Sequence, residues 1–389
     1  MRGAGYVCCK DAPIVPATKP EEKIRMKLKF SAIALGISLA YATNFAMAAG
    51  TGVTQTGTAN DTYVQQYDNV ASTVSINQNG TGNQVGQSGD PTSKGVLQRD
   101  STASQVIVVQ TGDYNSASAK QKNADTSTAL ILQDGAANAA TISQKNTYNT
   151  LASINQSGVN NEAKVKQNHV ADSIADIRQT GETNHAQVKQ NKAQDAFAGV
   201  AQFGVNNAGV VNQKDVVSVR ASVLQNGHDN IGAVTQEHTS YSVASIVQEG
   251  RNNFAGVEQN TSTGVLANVM QAGLGNSAGI LQHSAKDSVA LVSQTGVGNT
   301  ATADQIGVYQ YADIYQQGRG NVASTEQRGG WNEAHIYEVG RNNKAEIKQD
   351  GAGCGYASRN IAYIAQLGAN LEASITQTGS GNRAAIIQR

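Results

Sequence analysis

Between Gln55 and Gln388 the chain alternates small or branched apolar residues with polar ones, in short runs that end alike. Ala163-Lys164-Val165-Lys166-Gln167 and Ala175-Asp176-Ile177-Arg178-Gln179 are two such runs. A period of two with one apolar side predicts strands with a single buried face. Successive runs lie 11 and then 12 residues apart, so two strands make a 23-residue unit. Nine unit heads follow at that interval: Gln110, Gln133, Gln156, Gln179, Gln202, Gln225, Gln248, Gln271 and Gln294. Gly stands two residues after every head, at Gly112, Gly135, Gly158, Gly181, Gly204, Gly227, Gly250, Gly273 and Gly296. Asn stands five after, at Asn115, Asn138, Asn161, Asn184, Asn207, Asn230, Asn253, Asn276 and Asn299. A second Gln stands eleven after, at Gln121, Gln144, Gln167, Gln190, Gln213, Gln236, Gln259, Gln282 and Gln305. A fixed period of this length predicts stacked repeats, not a string of domains. The expected fold is all-β and amyloid-like: a parallel, in-register β-solenoid of about fourteen two-stranded rungs over residues 49–389.

Alternation points (Asn or Ser), Ala, (Val or Ile) and Gln inward in each half, as with Asn161, Ala163, Val165 and Gln167 opposite Ser173, Ala175, Ile177 and Gln179. A buried amide without partners costs about 1–3 kcal/mol. Stacked on an identical amide about 4.8 Å away, it finds them, and a ladder runs along the axis. The alternative is a disordered Gln/Asn-rich tract, but disorder gives no reason for nine units in strict registry. Gly two residues past each head is expected to supply the positive φ of the chain reversal.

The pattern has two irregularities. Gln87 arrives early, and Gln87, Gly89 and Gln98 resume the spacing with Thr92 in the Asn slot and Pro91 in the turn. Between Gln349 and Gln366 a bulge or longer loop is expected around 353–359, with Cys354 in the Asn slot. After Gln305 the halves shorten to 11 residues, through Gln316, Gln327, Glu338 and Gln349. The end rungs carry Gln55, Asn60 and Gln66 at one side and Gln377, Asn382 and Gln388 at the other. Uncapped, their unpaired backbone groups are templates for further copies; Arg389 or a partner is the alternative cap. Five residues before successive heads lies a row, Leu151, Ile174, Phe197, Arg220, Val243, Leu266 and Val289, that either forms an outer stripe for lateral bundling or turns inward to plug a corner.

Composition changes the picture little. Charge balances at 29 basic against 29 acidic residues, which supplies no basic footprint for nucleic acid. Residues 26–48 read as a secretory signal: Lys27 and Lys29, then the apolar run Ala32 to Ile37, then small residues at Ala46 and Ala48 with cleavage before Ala49. Residues 1–25 read as a non-structural extension ahead of it. No membrane span is expected in the mature chain. Cys8 and Cys9 precede the cleavage point, which leaves Cys354 alone and no disulfide framework. His169, His185, His228, His238, His283 and His335 share no column on adjacent rungs, and the carboxylates show no consistent pairing. No catalytic, metal or cofactor site is expected, and no enzyme activity.

Ser127, Gln133, Gly135, Asn138, Ala140 and Gln144 resemble the curlin repeat position by position, as do Ser173, Gln179, Gly181, Asn184, Ala186 and Gln190. The resemblance extends over nearly all of Gln55 to Gln388, with more repeats than the curlins it resembles. It implies a secreted subunit of a Gram-negative-type bacterium, exported through an outer-membrane channel and polymerised on a curlin nucleator. The product would be curli-like extracellular fibres, a homopolymer serving adhesion and biofilm matrix. A minor, nucleator-type curlin is the near alternative, and a monomeric β-helical carbohydrate-binding protein the distant one.

Overall fold

The structure, a computed structural model, describes residues 50–86, 95–352 and 355–389. The expected extension and signal, with Ala46, Ala48 and Ala49, lie outside the described residues, as do Gln87, Gly89, Pro91, Thr92 and Cys354.

Strands such as Leu151–Val159 and Glu162–Ala171 alternate buried and outward residues along their length. Their inward Ala and Val or Ile are too small to fill a core from one sheet. They pack instead against the matching rows of the opposite strand, and a single apolar cluster runs from Val74 to Ile375. Every neighbour pair is parallel, and identical positions face one another: Ile154 on Ile177, Gln156 on Gln179, Gly158 on Gly181. Two sheets result, of 15 and 16 strands. Heads such as Gln156 lie in the first sheet and their followers such as Gln167 in the second. The second sheet's first two rows are each broken in two, Asp61–Thr62 with Val64–Tyr67 and Gln84–Val85 with Val96–Arg99. That leaves fourteen rungs and a further half, Arg383–Gln388.

Both irregularities are resolved differently from the spacing. Gln98 stacks on Gln66 and under Gln121, and Gln78 is followed by Gln110. The early segment is thus an insertion within one rung, not a resumed half. At the second irregularity Asn360, not Cys354, occupies the Asn slot, because the 3-10 turn Tyr356–Ser358 loops out and delivers Asn360 over Asn332.

The repeat glycines all have positive φ, for example +119° at Gly158 and +121° at Gly181. Reversal needs a second residue, two positions on, in the left-handed region: Asn160, Thr183 and Asn206 at φ 53–56°. The 12-residue half turns without glycine, through pairs such as His169 and Asp172. Its corner is plugged by Val170, Ala193, Ala196, Val216 and Val219. The row five before the heads stays outside: Ile174 and Val243 are exposed, and Leu151, Phe197, Leu266 and Val289 are half-buried. Arg220 does not interrupt that stripe, since its guanidinium lies 6.0 Å from the Phe197 ring centre.

Candidate functional site: the amide ladders

Inward Gln at the end of each apolar run places its amide where two strands and the next rung converge. In the first sheet Gln156 Nε2 donates to Gln179 Oε1 at 2.8 Å, and Gln179 Nε2 to Gln202 Oε1 at 2.9 Å. The same Gln156 Nε2 donates across the core to Ala139 O at 3.1 Å and Asn161 O at 2.9 Å. One amide therefore ties rung to rung and sheet to sheet. The chain of donors starts at Gln55 and passes through each of the nine heads to Gln316. In the second sheet it runs from Gln66 through Gln98 and Gln121 to Gln349 and Gln377. All these glutamines from Gln78 to Gln377 are buried, so each satisfied amide avoids the cost of an orphaned one.

The Asn row runs the other way. Asn184 Nδ2 donates back to Asn161 Oδ1 at 3.0 Å and forward to Gly204 O at 2.9 Å, while its Oδ1 accepts the backbone N–H of Asn207 at 3.1 Å. The same bonding holds for Asn115, Asn138, Asn161, Asn207, Asn230, Asn253, Asn276 and Asn299. Two rows of amide dipoles thus point in opposite directions along one axis, a sense that spacing alone could not give. Beyond the step to 11-residue halves, Gln310 enters the second corner and imitates Asn, donating to Ile306 O at 2.7 Å and Gly329 O at 3.3 Å.

The first-sheet ladder has one flaw, at Glu338. Its register position lies between Gln316 and Gln366, and it is fully buried. Gln316 Nε2 donates to Glu338 Oε2 at 2.7 Å. Glu338 Oε1 and Gln366 Oε1 have no hydrogen-bond partner among the described residues. Burial pushes the Glu338 carboxyl up to about 8, against the opposing pull of the Gln316 bond. The spacing made Glu338 visible as a ladder position; only its burial shows what a carboxyl there must do.

The histidines sit outside. His185 pairs with Glu162 at 3.3 Å, His238 lies beside Asp215 and Glu237, and His335 contacts Glu333 and Asp313. Among the described residues no group of three or more His, Cys, Asp or Glu is placed to hold a metal ion. Aromatic rings stack along the axis towards the C-terminal rungs, Tyr309 on Trp331 at 4.4 Å and Tyr315 on Tyr337 at 4.9 Å.

Residues 321–351 match the family described as Curlin associated repeat. That stretch holds Asn321, Gln327, Glu338 and Gln349, all ladder positions. No curated protein matches the chain. The family is structural and non-enzymatic, and it is related to extracellular curli; the match and the solenoid are compatible with a structural subunit of curli type.

Proposed function

We infer that this chain is a secreted structural subunit that assembles end to end into curli-like extracellular fibres, for adhesion and biofilm matrix at a bacterial surface. The observation that carries the reading is the polarity of the ladders at the two open edges. At one edge the strand Gly50–Thr58 is exposed along all nine residues, and Gln55 gives its N–H to Gln78 while its carbonyl accepts nothing among the described residues. At the other edge Gln388 uses one N–H on Glu372 O at 3.1 Å and keeps the second. An acceptor edge and a donor edge of the same shape suit head-to-tail addition of a second copy. An outer-membrane export channel and a nucleating curlin are the partners this reading requires.

Seeding tests it. The 49–389 chain diluted from denaturant should raise thioflavin fluorescence after a lag, and sonicated fibres of the same chain should abolish that lag. A monomer that persists through size exclusion with no dye response would argue for a solitary β-helical binding protein.

A further inference from the structure

Overall neutrality conceals a segregated face. On the outer side of the second sheet, one row of register partners carries Lys120, Lys166 and Lys189 in the early rungs. Asn212 and Thr235 follow, and then Glu258 and Asp304. The neighbouring row repeats the order, with Lys122 and Lys145 early and Asp350 late. Lys120, Lys145, Lys166, Lys189, Glu258 and Asp350 are exposed. Among the described residues these five lysines form no ion pair, nor do Glu258 and Asp350, and Asp304 Oδ1 has no partner. Other charges on this face are largely spent locally: Glu162 on His185, Glu326 on Arg328, Glu346 on Lys348, Glu372 on Lys344, and Lys214 on Glu237.

The arrangement is its own complement when reversed. Lys189 and Glu258 are three rungs apart, and their midpoint falls between Asn212 and Thr235. The midpoint of Lys166 and Asp304 falls on Thr235, and that of Lys122 and Asp350 on Glu237, which shares its strand. All three lie within half a rung of one another and of the centre of the fourteen rungs. Around that centre the face is apolar, with Val210 half-buried and Ile231 and Phe254 exposed. An apolar middle flanked by opposite charges is the anatomy of a two-fold interface.

We propose that a second copy of this chain docks on the outer face of the second sheet, antiparallel along the solenoid axis and overlapping over the full length. Lysines of each copy then lie over carboxylates of the other. A parallel pair would set lysine on lysine, which like-charge repulsion opposes. Fourteen rungs at about 4.8 Å span roughly 65 Å, and seven strand residues roughly 20 Å. The face is therefore on the order of 1,300 Å² per partner, above the ~800 Å² of a standard stable interface. Pairing depends on the solenoid and its surface charges, not on growth at its edges.

Mass per length by dark-field electron microscopy tests the proposal on fibres of the 49–389 chain. At low salt the expected value is twice that of one solenoid. It should fall twofold towards 1 M salt, where the screening length is about 3 Å. K120E/K166E/K189E and E258K/D304K/D350K should each give single-solenoid fibres, and an equal mixture of the two should restore the doubled value. If no fibre forms, sedimentation of the same samples reads one chain against two. Single-solenoid wild type at low salt overturns the proposal, as does doubling that ignores salt or persists in each variant alone. So does wild type that binds double-stranded DNA but never doubles. Wild-type salt dependence decides the matter even if a variant does not fold.

Discussion

Glu338→Gln stabilises the solenoid most above pH 8 and removes a pH dependence that the native chain shows between about pH 4.5 and 8. The carboxyl is shifted from 4.5 to about 8 by burial, so the folded chain holds its proton where the unfolded chain has lost it. The resulting stabilisation is full below pH 4.5, declines by about 1.4 kcal/mol per pH unit through the window, and is gone above the folded value. A proton on Oε1 also turns an acceptor into a donor. It gives the unpartnered Gln366 Oε1 what glutamine gives elsewhere in the column. An amide at this position makes that donation at every pH. Denaturant midpoints at pH 5, 7 and 9 should fall steadily for the native chain and much less for the variant, with the two nearly equal at pH 5. Parallel pH profiles would show that Glu338 is not proton-linked to folding.

The second large effect is expected at Gly204→Ala. A Cβ built there meets the carbonyl oxygen of Gly227 at 2.1 Å, at a backbone φ of +118°. Neither contact nor dihedral can relax without parting the two rungs, and parting them breaks the Asn207 Nδ2 bond to Gly227 O, 2.9 Å as it stands. Strain of this kind costs about 1–3 kcal/mol for the dihedral alone, and the lost bond leaves a buried amide N–H short of a partner. A total of about 3 kcal/mol or more is expected. Asn206→Ala is the control, because the equivalent place one turn type away is filled by Ala137 at φ 55° against 56° for Asn206. Urea unfolding should show a large loss for the glycine variant and less than about 1 kcal/mol for the control. Equal losses would mean that turn conformation, not rung contact, sets the requirement for glycine.

The contrast between those two positions also explains what could be read from sequence. Gly204 repeats because one physical demand, close approach of identical rungs, recurs every 23 residues. Asn206, Asp229 and Gly275 share a left-handed conformation that several residue types tolerate, so no sequence pattern marks it. The amide rows were legible for the same reason as the glycines. Where the spacing admits two solutions, it fails. Gln87 and Gln98 both fit an 11-residue count, and only the stacking of Gln98 between Gln66 and Gln121 selects one. Cys354 stands at the counted position, yet an amide that can accept Asn382 N–H at 3.0 Å comes from Asn360. The charge segregation of the second sheet escapes composition altogether, because its two ends cancel.

The most direct measurement is X-ray diffraction from aligned fibres of the 49–389 chain. Rungs stacked in register, with amides bonded from one to the next, predict a sharp meridional reflection at about 4.7–4.8 Å and an equatorial one near 10 Å. Fibres that diffract without the meridional spacing, or with strands running along the fibre axis, would contradict the stacked solenoid.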